Sequence, residues 1–253
     1  METSGRVLKL SLHRPSTNAL NRAFGEELFN AFSEVELMED VTVVVITSAL
    51  ERAFIAGADI KEMAAMDPAE SESFSKLLQE TYSILPRLKK VVIAAINGHA
   101  MGGGCELALA CDYRFMTRGK ALIGLPEAGL GIVPGAGGTQ RLPRLVGLSK
   151  ALDILLRGRL LGPEEALEIG LVDRLFDAET FASEVLEFAA ELASGAGKAL
   201  GFIKASVQEG IELPMAEALA VERGYGLENL KTRDAKEGLK AFAEKRKPNF
   251  TNK

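Results

Sequence analysis

From Val7 to Leu12, Leu8, Leu10 and Leu12 alternate with Val7, Lys9 and Ser11, which predicts a half-buried strand. Over Asn21–Leu37 the period changes. Phe24, Leu28, Phe32 and Val35 recur at spacings of 4, 4 and 3, a helical stripe. Val41–Thr47 and Val91–Ile96 are unbroken β-branched or apolar runs, as in strands covered on both faces. A helical pattern fills most of the space between them, roughly Pro68 to Leu88. A short helix is expected near Gly103–Ala110, then a strand near Tyr113–Thr117. Gly162-Pro163-Glu164-Glu165 reads as a helix start, with Pro at the first helical position, acids in the first turn and Gly170 closing the helix. From Glu179 onward nearly everything is helical, and Phe181, Val185, Phe188 and Leu192 form another stripe.

Strands alternating with helices predict an α/β fold. We expect an α/β body over residues 1–195 and a helical extension over 196–253. No Pro/Ser linker separates them, so the extension should dock on the body. No internal sequence repeat is visible.

Composition narrows the function. The chain has 253 residues, 47% hydrophobic and 26% charged, the balance of an ordinary globular protein. Its net charge of −5 provides no global field for nucleic acid. Two cysteines and two histidines leave little for a disulfide framework or a zinc site. The first residues, Met-Glu-Thr-Ser-Gly-Arg-Val, lack a basic-then-apolar signal. Val91–Cys111 is apolar but carries Asn97, His99, Glu106 and a Gly102-Gly103-Gly104 run, which argues against a membrane span. A cytoplasmic protein is expected, or the processed form of an organellar one.

The unusual quantity is glycine. Of 25 glycines, 12 lie between Gly98 and Gly147. Nucleotide loops are the first explanation to test, and they fail. Gly135-Ala136-Gly137-Gly138-Thr139-Gln140 has Gln where a dinucleotide fingerprint needs its last glycine, and no Gly-Lys pair is followed by Ser or Thr. No G-x-S-x-G elbow or H-E-x-x-H occurs.

Three segments remain. Ala56-Gly57-Ala58-Asp59-Ile60-Lys61 is a small-residue loop after a strand. It suits close backbone approach to a ligand, or equally a tight turn capped by Asp59. Asn97 to Leu107 feeds a glycine turn into a helix start. There the first N–H groups lack partners and favour an anionic oxygen. We expect close packing to account for one glycine of the Gly102–Gly104 run, but not for three. Glu106, in an otherwise apolar run, is either on a solvent face or a buried carboxyl of raised pKa. Glu127 follows Pro126 and is either a first-turn acid or a second carboxyl brought to the same place. Two such carboxyls beside an anion-stabilising backbone suit proton transfer alpha to a carbonyl.

These segments, with Leu12-His13-Arg14-Pro15…Asn18, Gly131-Ile132-Val133-Pro134-Gly135-Ala136-Gly137-Gly138-Thr139-Gln140-Arg141-Leu142 and Glu237-Gly238…Phe242…Lys245-Arg246, resemble the crotonase (enoyl-CoA hydratase/isomerase) superfamily in content, order and spacing. The resemblance covers essentially the whole chain. It implies a spiral of ββα units with C-terminal helices, assembled as a trimer or dimer of trimers. It also implies an acyl-CoA substrate of the kind met in fatty-acid β-oxidation, no metal, and no cofactor beyond the CoA of the substrate. The family's oxyanion hole maps to the N–H groups of Ala58 and Gly103. Family hydratases keep two glutamates where Glu106 and Glu127 stand, which implies syn hydration of a 2-enoyl-CoA, with Glu106 as base toward water and Glu127 as proton donor to C2. Substrate and CoA contacts are expected from Ala56, Ala58, Asp59, Ile60, Lys61, Gly103 and Pro126, and across a subunit interface from Phe242 and Lys245. Leu125 is expected to make the acyl pocket more apolar, and His99 to be packed or on the surface, not catalytic. Isomerisation or another acyl-CoA lyase reaction on the same fold is the alternative. RNA binding is a different class, disfavoured by the acidic charge.

Overall fold

The computed structural model describes residues 1–253. In chain order come β1 (Glu2–Ser4), β2 (Val7–Leu12), α1 (Arg22–Leu37), β3 (Val43–Ser48), β4 (Ala53–Ile55), α2 (Ile60–Ala65) and α3 (Pro68–Arg87). Then follow β5 (Val91–Ile96), β6 (His99–Met101), α4 (Gly103–Leu109), β7 (Tyr113–Thr117), β8 (Ile123–Gly124), a 3₁₀ turn (Glu127–Leu130), α5 (Gly138–Val146) and α6 (Leu148–Arg157). The chain ends with β9 (Leu160–Leu161), α7 (Pro163–Glu168), β10 (Arg174–Phe176), α8 (Phe181–Ala193), α9 (Gly197–Gly210), α10 (Met215–Leu230) and α11 (Arg233–Ala243).

Two sheets run side by side. One has the order β1-β2-β3-β5-β7-β10, the other β4-β6-β8-β9. Each successive turn of the chain lays one strand in the first sheet and the next in the second: β3 then β4, β5 then β6, β7 then β8. Neighbouring turns pair in parallel, for example Val43 with Val91 and Ile93 with Tyr113. This is the expected spiral of ββα units, repeating in structure without repeating in sequence.

The apolar runs of β3 and β5 have the predicted cause. Val44, Ile46, Val92, Ala94 and Ile96 face the main core, while Val43, Val45, Val91 and Ile93 pack against Phe181, Val185 and Ala189 of α8. Both sheet faces are covered, so alternation has nothing polar to show. In β2 only Lys9 and Ser11 stay partly exposed. Helix α1 starts where Asn21 accepts the Phe24 N–H at 3.0 Å. Helix α3 starts on a reciprocal Asp67–Glu70 cap, at 2.8 and 2.9 Å.

The glycines of the 102–104 run differ in what they meet. A Cβ on Gly104 would enter the backbone carbonyl of Ile55, and one on Gly103 would meet the Leu20 side chain. Gly102 has φ +54, and a Cβ there would stand 2.9 Å from Glu127 Oε1. Close backbone packing therefore requires glycine at 104, and the positive φ favours it at 102, while the Gly103 contact is with the end of the Leu20 side chain. Gly104→Ala is expected to destabilise the fold by about 1–3 kcal/mol, the cost of forcing a group into a filled core. Urea denaturation measures it.

The helical extension docks at a few polar points. Lys204 of α9 reaches Asp112 at 2.8 Å and the carbonyls of Leu85 and Lys90 at 2.7 and 2.9 Å. Residues 249–253 return to the body, where Arg6 donates to the Phe250 carbonyl at 2.8 Å. Helix α10 buries none of its residues, and Ile203, Val207, Ile211, Leu219 and Leu227 are exposed. No helix is long and apolar enough to cross a membrane.

Candidate active site

The loop after β4, the start of α4 and the segment after β8 meet because β4, β6 and β8 are adjacent parallel strands. All three strands end at the same edge. There they bound a cavity of about 350 Å³, lined mainly by apolar side chains from α2, α3 and residues 130–136. Of the residues expected from sequence, Ala56, Ala58, Ile60, Gly103, Glu106, Pro126 and Glu127 all line it.

The Leu20–Ala58 bridge sets the first wall. Leu20 N–H donates to the Gly57 carbonyl and Asp59 N–H to the Leu20 carbonyl, at 2.8 and 2.7 Å. The Ala58 N–H donates to no acceptor within the chain. Gly57, at φ +98, permits this turn. Gly103 is the first residue of α4, so its N–H has no intrahelical partner. Two free backbone donors thus line one cavity.

Both carboxylates are buried, Glu106 at 2% and Glu127 at 8% exposure. Glu106 Oε1 accepts the N–H groups of Ala136 and Gly138 at 2.8 and 2.7 Å. Burial pushes its carboxyl above the usual range, and those two donors with the Arg141 charge pull against the shift. Glu127 is the first residue of the 3₁₀ turn and lines the same cavity as Glu106. Burial, opposed by its own N–H and reinforced by Glu106, lifts its carboxyl to about 7. Its Oε2 is buried and has no hydrogen-bond partner. One carboxyl is clasped by backbone and the other left free, an arrangement that can separate acid and base roles.

Several expected contacts lie elsewhere. Asp59 does not line the cavity. Its carboxylate caps α2 and pairs with Arg14 at 3.2 Å, both local demands that occupy it. Lys61 is exposed on α2, outside the lining. Phe242 is 86% exposed on α11, and Lys245 is exposed just beyond it. Neither lines the cavity of this chain. Leu125 also fails to line it. It is fully buried in the core beneath Gly138, so it supports the wall and leaves the pocket's polarity unchanged. His99 is half-buried, and its Nδ1 accepts the Leu122 N–H at 3.1 Å, a packed role.

Other wall residues carry no local signal. Leu20, Met63, Met66, Phe74 and Leu78 line the cavity but read as ordinary core in the sequence. Tyr82 is fully buried, and its hydroxyl donates to the Gly103 carbonyl at 3.0 Å. Nothing in its helical spacing distinguishes it from a packing residue.

Comparison with known proteins bears on the whole chain. The model of the enoyl-CoA hydratase/isomerase family matches residues 2–253. Crotonyl-CoA hydratase of Syntrophomonas wolfei is 39% identical, over 100% of this chain and 97% of that protein. Short-chain-enoyl-CoA hydratase of Clostridium acetobutylicum is 39% identical, over 98% and 95%. The solved enoyl-CoA hydratase of Bacillus anthracis superposes with a TM-score of 0.95 at 38% identity, over 100% of this chain and 98% of that one. The spiral of two sheets, the paired glutamates at the motif positions and full-length similarity lead to one conclusion: the chain belongs to the enoyl-CoA hydratase/isomerase family and is an enzyme of the hydratase type.

Proposed function

We propose that the protein adds water syn across the double bond of a trans-2-enoyl-CoA to give a 3-hydroxyacyl-CoA. The observation that carries this reading is the convergence of two buried carboxyls and two free backbone N–H groups on one cavity. In the proposed reaction the thioester oxygen lies between the N–H groups of Ala58 and Gly103. Charge moves onto that oxygen as water attacks C3, and fixed dipoles in a water-poor site stabilise it. Glu106 takes the proton from the attacking water. Its hydrogen bonds from Ala136 and Gly138 favour the ionised form needed for that step. Glu127, lifted to about 7, is substantially protonated at neutrality and delivers its proton to C2. An acid near the working pH is efficient in both directions.

The free Glu127 Oε2 also supports a second activity. A carboxylate with one unpartnered oxygen can take a proton from C2 of a 3-enoyl-CoA and return it to C4, so slow isomerisation of a 3-enoyl-CoA to the 2-enoyl-CoA fits the same site. The exposed aliphatic residues of α9 and α10 support a homo-oligomer, with residues 196–253 as its subunit-docking part and Phe242 and Lys245 offered to a neighbour's CoA.

Mixing the protein with crotonyl-CoA tests the reading. The enone absorbance is expected to fall as 3-hydroxybutyryl-CoA forms, and much faster than any change seen with a 3-enoyl-CoA. Absorbance that stays constant under turnover conditions, or a faster 3-enoyl reaction, overturns the assignment.

A further inference from the structure

We propose that Arg141 is a positioning residue for Glu106, bracing from behind the turn that clasps the carboxylate and supplying the positive charge that faces it. The inference rests on the reading of Glu106 as the base.

The clasp is a short piece of backbone. Ala136 and Gly138 both aim their N–H groups at Glu106 Oε1. Such a turn holds its geometry only if something fixes its other side. Arg141, one turn into α5, folds back over it. Its Nη1 donates to the Ala136 carbonyl at 2.9 Å, and its Nη2 to Ser83 Oγ on α3 at 3.3 Å. The same peptide chain is thus held on one face by the guanidinium and offers its donors on the other. Gly137 makes room for this arrangement. It sits at φ +108, and a Cβ there would collide with Arg141 Nη1. The guanidinium packs directly against Gly137.

The charge has no partner other than this site. Some partly buried arginines meet acids, as Arg114 meets Asp173 at 2.9 Å and Arg159 meets Glu165, while Arg6 donates to backbone carbonyls far from the cavity. Arg141 donates only to neutral oxygens. The titratable groups facing Glu106 are Tyr82 from α3, Cys105 beside it on α4, Glu127 from the 3₁₀ turn and Arg141 from α5. Arg141 is the only cation among them. It does not line the cavity, so its effect on substrate must pass through Glu106 and the turn.

Two variants separate these contributions. Arg141→Gln removes both brace and charge. The expected result is a fall in kcat of about 10–100-fold, as for a small displacement of a reacting group, with KM little changed. The acid limb of kcat/KM should move to higher pH. Loss of a nearby cation raises the Glu106 pKa, and the base must be ionised to act. Arg141→Lys keeps the charge but loses the planar two-acceptor fork. Its acid limb should stay near the wild-type position while kcat falls by an intermediate factor. Wild-type kcat in Arg141→Lys would remove the brace, and this arm stands even where Arg141→Gln does not fold. An unmoved acid limb in Arg141→Gln would remove the electrostatic role. A failure of the Glu106 reading itself shows separately, as turnover retained in Glu106→Gln.

Discussion

Glu127→Gln is expected to lower the turnover of crotonyl-CoA by about 10²–10⁴-fold, the usual contribution of a positioned general acid. The amide keeps the shape of the carboxyl but cannot donate a proton to C2 and regain one from water. The pH dependence should change with it. In the wild type the acid is competent while protonated, so kcat falls as pH rises through a value set by a carboxyl lifted to about 7. That alkaline limb should vanish in the variant, leaving only the acid limb set by Glu106. Stability should move the opposite way. The folded pKa lies above the ordinary value of 4.5, so the folded state binds more protons than the unfolded one between about 4.5 and 7. Wild-type stability is therefore lost as pH rises through that window. Gln has no charge to bury, so Glu127→Gln should melt higher than wild type at pH 8 and gain little near pH 4. Stopped-flow absorbance across pH and thermal melts at those two values check the pair. Full activity, or an alkaline limb that persists, removes Glu127 as the proton donor.

Glu106→Gln is expected to cost a similar factor for a different reason. Water is a poor nucleophile toward an enoyl thioester unless its proton is being taken. The amide oxygen of the Glu106→Gln variant can still accept the Ala136 and Gly138 N–H groups that now hold the carboxylate at 2.8 and 2.7 Å. The turn and the α4 start should therefore survive, and the protein should fold. Substrate binding should persist too, because the thioester oxygen is held by the N–H groups of Ala58 and Gly103 in the proposed complex. The expected signature is a collapsed kcat with a nearly unchanged KM, the mark of an interaction made in the transition state. Proton exchange at C2 would discriminate further. With Glu127 intact, exchange of the product's C2 proton with solvent should outlast hydration. Near wild-type hydration in Glu106→Gln would overturn the base assignment.

How far the sequence carried these conclusions differs by element. The β3 and β5 runs and the α1 stripe were readable because burial imposes a period on them. A cap was readable where a side chain satisfies a helix end locally, as at Asp59. Asp59 shows the limit of motif reasoning. Its place in the motif suggested a substrate contact, while its carboxylate is occupied by the α2 cap and Arg14. Leu125 likewise lies behind the wall it was expected to form.

By itself the sequence determined the longer strands and helices, the two glutamates, and the glycines that let backbones approach, since each depends on local chemistry or on a motif of adjacent residues. Tertiary structure decided the rest. It decided that Glu106 is buried and not on a solvent face, that Ala136 and Gly138 clasp it, and that Arg141 stands behind the clasp. These facts join residues 30 or more positions apart, or depend on which side of a turn a side chain lies. Both are set by the lateral pairing of β4, β6 and β8 and by packing against α3, for which a linear pattern holds no signal.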